Sequence, residues 1–420
     1  MIKIKRHFRR KPFLVAVESF ALWNFIFFSF LTPTYLDWYR FLTLLVFIIC
    51  KFLTRDFQQV SKYYLVSIYL IISYNIVQFY IGYLKYGSIS IFEAKSTILY
   101  YSIFAGLIFL ISERNLRTIA NAIILSSLFI GLYFFYCLFG QIGFAPYYGD
   151  FLKQNYVIAV GIGIIKVYSL QVISLTYTLP FTIVYLITTK NKRNLFDIAV
   201  MMVSSLAALF SLIRGIIGST SIGMLLAFFL RRNKTNYFKW IFISAIIVGI
   251  IIFSLQIFFN SIGEKPLKYL GEIASSVNFS TNNSNLTRRD QANFLYNKIK
   301  DHPLFGYGIG ANDKNYANEA HRTSNFELQY MKILYEVGII GFLLNFQLVF
   351  WAYKKSFKLI KLNEGLLYLL PTLSAFTAAL IYNAFNPLLS QFSPMFMFFH
   401  LFYVLNSKIK HNEISHTLYL

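Results

Sequence analysis

Two histidines, a pair of arginines and a set of spaced glycines fall together in the stretch "RRDQANFLYNKIKDHPLFGYGIGANDKNYANEAHRTSNFELQYMKILYEVGIIGFLL", residues 288–344. Residue types of this kind hold anions and move protons. "GYGIG", Gly306 to Gly310, offers positive-φ turns and exposed amides that suit an anion. The same glycines suit a tight turn that folds the segment back on the chain. No strand precedes them, which excludes a dinucleotide fingerprint. His321, followed by Arg322 and Asn325, stands just ahead of an apolar helical pattern; a solvated loop histidine is the plainer reading. His302 has the alternative of capping the helix before it. Arg214, in "SLIRGIIGSTS", sits between two apolar runs. Gly215, Gly218 and Ser219 leave room beside it for an anion, and the alternative is a snorkelling anchor. Neither an H-x-x-x-H spacing nor paired carboxylates accompany the histidines, so no metal ligation is expected.

The elements that must position these residues are set by composition. Hydrophobic residues make up 57% of the 420, aromatics 19% and charged residues only 13%, beyond what a soluble domain of this size carries. Apolar runs long enough to cross a hydrocarbon core of roughly 30 Å predict about twelve spans, near 13–31, 38–54, 61–83, 96–112, 118–140, 167–188, 195–213, 215–230, 238–259, 326–353, 364–385 and 389–406. The runs are too long for the alternating pattern of a β-barrel, so the expected fold is an all-α, polytopic membrane helix bundle. It forms a single transmembrane domain over residues 1–420. A large external loop containing short helices, 260–325, lies between spans nine and ten, and a smaller one lies at 141–166.

Lysine and arginine give the orientation. "KIKRHFRRK" opens the chain, and further basic residues recur in every second connection, as at Lys190, Lys192, Arg193, Arg231, Arg232, Lys354, Lys355 and Lys358. The alternate short loops hold only Arg40, Lys85, Lys95, Lys153, Lys166 and Arg214. This asymmetry predicts both termini in the cytoplasm. The net charge of +22 is then topogenic and lipid-directed, with no nucleic-acid partner.

Within the large loop, Ala292, Leu295, Tyr296 and Ile299 share one face of a predicted helix that Pro303 ends, with Arg288 and Arg289 at its start. That helix is expected to lie on the outer membrane surface. Glu327 and Glu336, on span ten, are costly in lipid and should face inward; Lys332 stands four residues before Glu336, the spacing of an intrahelical pair. Cys50 and Cys137 fall near opposite faces, too far apart for a disulfide.

An arginine at the external start of span eight, "HPLFGYGIG" in a large external loop and a helix with "YEVGIIGFLL" resemble the bacterial O-antigen ligase and O-antigen polymerase superfamily. The resemblance in motifs covers roughly residues 204–345; the pairing of "HPLFGYGIG" with a "GxxG" helix, Gly338 to Gly341, is its most specific part. Ligases of that family place Asn or Ser directly after the histidine. Here "RTS" separates His321 from Asn325, which favours a polymerase.

The resemblance implies a metal-independent glycosyltransferase of the bacterial cytoplasmic (inner) membrane with its active site on the external face. It would polymerise oligosaccharide repeat units linked to undecaprenyl pyrophosphate into surface polysaccharide. The alternatives are a ligase delivering glycan to lipid A-core and, in another class, a lipid-linked sugar flippase. No cofactor is implied, because the lipid pyrophosphate is already an activated leaving group. The partners implied are the lipid-linked glycan, membrane lipids, and a chain-length regulator and flippase of the same pathway. Arg214 with Arg288 or Arg289 would clamp the pyrophosphate, with Lys153 and Lys166 adding charge. Arg322, Asn325 and His302 would help bind substrate, and His321, then Glu327, would accept the proton of the acceptor hydroxyl.

Overall fold

The computed structural model of the chain describes residues 12–32, 36–141, 156–160, 164–168, 170–189, 194–211, 213–231, 283–313, 326–363, 366–387 and 391–417. Backbone amides in hydrocarbon must be bonded within their own segment, so unbroken apolar sequence folds as helix. Helices occupy the stretches expected as spans one to eight and ten to twelve. They are α1 (Pro12–Leu31), α2 (Asp37–Thr54), α3 (Lys62–Tyr86), α4 (Ser88–Ala94), α5 (Tyr101–Gly106), α6 (Glu113–Gln141), α7 (Leu170–Ile173), α8 (Leu175–Thr189), α9 (Leu195–Phe210) and α10 (Arg214–Leu230). After these come α11 (Asn283–Asp301), α12 (Gln329–Lys361), α13 (Leu366–Asn383) and α14 (Phe392–Thr417). The expected ninth span, 238–259, lies outside the described residues, as does 260–282 of the large loop.

Among the described residues, seven helical stretches are long and apolar enough to cross a membrane, and α9 and α10 are shorter apolar helices. The protein is a helical multi-pass membrane protein. The fourth span begins at Ser88, well ahead of the expected 96, because a π-helical turn at Lys95–Tyr100 joins α4 to α5 in one run. Another departure is a small antiparallel hairpin of β1 (Tyr156–Val160) and β2 (Ile164–Tyr168), with Tyr156 opposite Tyr168, where only loop and the start of a span were expected.

The bundle core is aromatic. Phe25, Phe30, Phe104, Phe396 and Tyr177 are buried together, and the Tyr177 hydroxyl lies 2.7 Å from Nδ1 of the buried His400. A hydroxyl beside an imidazole nitrogen satisfies two polar groups that hydrocarbon would otherwise leave unpaired. Cys50 and Cys137 are both free and buried.

One end of the bundle is closed by charge. Glu18 of α1 accepts from Asn115 Nδ2 at 2.9 Å and stands 3.0 Å from Lys51 Nζ of α2. Arg114, at the start of α6, pairs with Glu18 and with Asp56. Lys51 and Glu18 are wholly buried; a buried charge is tolerated only where partners surround it. The knot fixes α1, α2 and α6 at the end where the basic connections were expected. The opposite end carries the candidate site.

Candidate functional site

At that opposite end, helix α12 is interrupted. Gly338 has φ 65° and ψ −174° inside an otherwise helical run, which removes the hydrogen bonds that Ile339 and Ile340 would make to Tyr335 and Glu336. The segment after α11 enters this gap. Ile339 N–H donates to Pro303 C=O at 2.9 Å and Ile340 N–H to Leu304 C=O at 3.3 Å. In return, Tyr307 N–H donates to Tyr335 C=O at 2.9 Å and Gly308 N–H to Glu336 C=O at 2.8 Å. Four backbone groups freed by the break are thus taken by groups from the loop, as an interrupted helix inside a membrane protein requires.

The glycines make the approach possible. A Cβ on Gly306 would stand 2.6 Å from Gly338 N and Glu336 O, and one on Gly338 would stand 2.6 Å from Phe305 N, with positive φ at both positions. The turn then runs on to α3, where Ile309 N–H donates to Gln78 C=O at 3.0 Å. The "GYGIG" stretch is therefore a turn folding the loop onto the bundle. Its amides at Gly308, Ile309 and Gly310 are engaged by protein oxygens, so the reading of this stretch as an anion nest is corrected.

Side chains lock the splice from beneath. Glu336, buried, accepts from Gly310 N–H at 3.1 Å. Lys332 Nζ donates to Glu93 Oε2 of α4 at 2.9 Å and lies 3.9 Å from Glu336 Oε1. The expected Lys332–Glu336 pair is present, yet the shorter contact goes to Glu93, a partner that local spacing could not reveal. Tyr74 of α3 completes the joint, its hydroxyl donating to Val337 C=O at 2.8 Å.

Helix α11 packs on the first turns of α12. It runs Asn283–Asp301, stopping two residues short of Pro303, because the residue before proline disfavours helical backbone. Leu295 is fully buried with Phe326 and Tyr335, and Phe294 stacks on Phe326 with centroids 6.0 Å apart. Ala292 and Ile299 are half-buried, but Tyr296 is exposed and carries Lys300 over its ring. Tyr296 therefore leaves the buried face assigned to it from periodicity. The buried stripe turns instead through Gln291, whose Oε1 accepts from Glu327 N–H at 3.0 Å. Lys298 pairs with Asp313 at 2.8 Å, and that bond raises its pKa above the ordinary lysine value.

Of the predicted site residues, the structure brings Arg288 and Glu327 together. Arg288 Nε stands 2.8 Å from Glu327 Oε2, a charge pair off line for a hydrogen bond, both side chains being about a third exposed or less. Arg289 is exposed beside it. His302 is exposed, its ring edge-on to Tyr307 at 4.5 Å, and its carbonyl accepts from Gly306 N–H at 3.0 Å; the residue starts the turn. Arg214 is the first residue of α10. Its neighbour Gly215 packs so closely on Tyr382 of α13 that a Cβ would lie 2.8 Å from the ring, while Tyr330 of α12 donates to Leu380 C=O at 2.7 Å. The start of α10, the end of α13 and the start of α12 thus meet at one end. Lys166 lies in β2, opposite Ile158. Lys153, His321, Arg322 and Asn325, and the side chains of Arg214 and Lys166, lie outside the described residues.

Residues 199–346 match the family model described as O-antigen ligase. No curated protein matches the chain. The matched segment begins in α9, takes in α10 and α11, and ends in α12 beyond the break, so it holds both halves of the splice and the Arg288–Glu327 pair. Residues 199–346, about a third of the chain, are thus similar to the O-antigen ligase family, in line with the superfamily that the motifs resemble.

Proposed function

We propose that the protein is a membrane glycosyltransferase that polymerises oligosaccharide repeat units carried on undecaprenyl pyrophosphate, at the external face of the bacterial cytoplasmic membrane. The observation that carries this reading is the family match over 199–346, whose segment brings Arg288 and Glu327 to the end of the bundle where α10 starts at Arg214. In the reaction, the acceptor hydroxyl attacks the anomeric carbon of the donor. A new glycosidic C–O bond forms, the bond to pyrophosphate oxygen breaks with its electron pair, and the hydroxyl proton passes to a protein base.

Pyrophosphate is a good leaving group once its charge is held, so the demand on the protein is positioning and cation placement. Arg214, Arg288 and Arg289 suit that task through fixed forks of donors, with Lys153 and Lys166 of the smaller loop adding charge. Arg288 meets Glu327 through Nε, which leaves its two terminal nitrogens for phosphate. His321 serves as base, with Arg322, Asn325 and His302 at the acceptor side. The spliced turn gives this end a rigid floor, since it ties α11, α12, α3 and α4 into one piece.

A ligase is the second reading, favoured by the description of the matched family; it differs in acceptor, not in donor handling. Deletion of the gene followed by sizing of the surface glycan separates the two. Caps of single repeat units are expected for a polymerase. Accumulation of full-length polymer on the lipid carrier would assign the ligase instead, and an unchanged glycan would remove both.

A further inference from the structure

Helix α12 carries a stripe of exposed apolar side chains at Ile339, Leu343, Phe346 and Phe350, spaced by four, three and four residues and so aligned on one face. On a membrane-crossing helix such a stripe meets lipid. From Gly338 to Lys361 the helix rises roughly 36 Å at 1.5 Å per residue, enough to cover a hydrocarbon core of roughly 30 Å. A slab of that thickness fits along the helix after the break at Gly338, with Gln329–Val337 left above it.

The stripe does not end at the break. Ile339 and Ile340 donate to Pro303 and Leu304, which brings the tip of the inserted turn level with the top of the stripe. The two residues at that tip are Leu304, 55% exposed, and Phe305, 58% exposed. Large apolar side chains on a loop in water are a solvation cost with no return; at the rim of a lipid-facing stripe they continue an apolar surface. Their polar flank fits the same place. Asp301 and His302 precede them on the exposed side, and Lys300 lies over the exposed ring of Tyr296, an aromatic and cationic pairing of the kind found at headgroup level.

We infer that Leu304 and Phe305 form a membrane wedge, dipping among the upper acyl chains of the bilayer and making the Pro303–Gly310 turn a lipid-seated element. The occupant of this surface is lipid, because the patch is contiguous with the lipid-facing stripe of α12 through two backbone hydrogen bonds. The wedge is independent of the reaction catalysed. It holds the splice at the membrane edge while the helix beneath it spans.

The test places a fluorescent label at each position in proteoliposomes. Cys50 and Cys137 are buried, so a small bimane label introduced at Phe305→Cys or Leu304→Cys reports its own site, and Asn293→Cys on the exposed face of α11 gives the aqueous reference. Labels at 304 and 305 should lose most of their emission to lipids bearing a nitroxide high on the acyl chain and little to aqueous iodide, with the reverse at 293. Iodide quenching at 304 and 305 equal to that at 293 would overturn the inference, and so would protection from both quenchers, which would mean that protein covers the patch. Two positions are used so that either variant suffices if the other fails to insert.

Discussion

Gly306 and Gly338 stand back to back: a Cβ on Gly306 would lie 2.6 Å from the backbone nitrogen of Gly338, and both residues hold positive φ. The contact joins a loop to a helix break that is 32 positions further along the chain. Because the positive-φ, extended-ψ backbone of Gly338 costs an alanine about 1–3 kcal/mol, before any clash, Gly338→Ala should lower thermal stability in detergent and reduce chain growth together. Gly306→Ala should do the same. A Gly338→Ala protein that melts with wild type would show that the four exchanged hydrogen bonds form without the glycine pair.

The Glu93–Lys332–Glu336 cluster gives a test of sign. Removing one member of a buried charge set leaves the others uncompensated, at about 3–5 kcal/mol. Lys332→Met should therefore destabilise strongly, whereas Glu93→Gln, Lys332→Met and Glu336→Gln combined should recover much of the loss. Thermal unfolding of the single and combined variants measures this; a combined variant worse than Lys332→Met alone would refute a compensated cluster.

Arg288 and Glu327 are part exposed, so their pairing contributes only about 0–1 kcal/mol to stability. Glu327→Gln should melt near wild type and keep chain growth within about tenfold, since its carboxylate is engaged with Arg288. His321→Ala should cost about 10²–10⁴-fold, the usual loss of a general base. The opposite ranking of these two variants in an in-vitro polymerisation assay would make Glu327 the base.

Sidedness is testable without chemistry. A reporter fused after Lys408 should be cytoplasmic and one inserted at Asn283 external. An external C-terminal reporter would overturn the span order and the placement of the site.

The sequence named both partners of the splice but not their exchange. "HPLFGYGIG" and Gly338–Gly341 are visible as glycine-punctuated motifs, whereas hydrogen bonds between segments some thirty residues apart leave no periodicity. For the same reason Lys332–Glu336 was legible as an i, i+4 pair, while Glu93, 239 positions from Lys332, was not. Tyr296 departs from the face its spacing suggests because a polar helix has several faces that fit a few apolar residues, and packing on Phe326 and Tyr335 selects among them. The hairpin at 156–168 did carry a signal: two β-prone five-residue runs flank "GIG", a hairpin pattern. Long apolar helices were legible because hydrocarbon admits few other ways to satisfy a backbone.

On the proposed function, arginines at this end hold a lipid pyrophosphate while a sugar is transferred. Polymerisation by purified protein in proteoliposomes supplied with a polyprenyl-pyrophosphate-linked repeat unit tests this by comparing wild type with Arg214→Lys and Arg214→Ala. A lengthening ladder from wild type, a weaker one from Arg214→Lys, which keeps charge but loses the fork, and almost none from correctly inserted Arg214→Ala is the predicted result. A ladder of wild-type rate and length from Arg214→Ala would contradict the clamp and leave Arg214 as a membrane anchor.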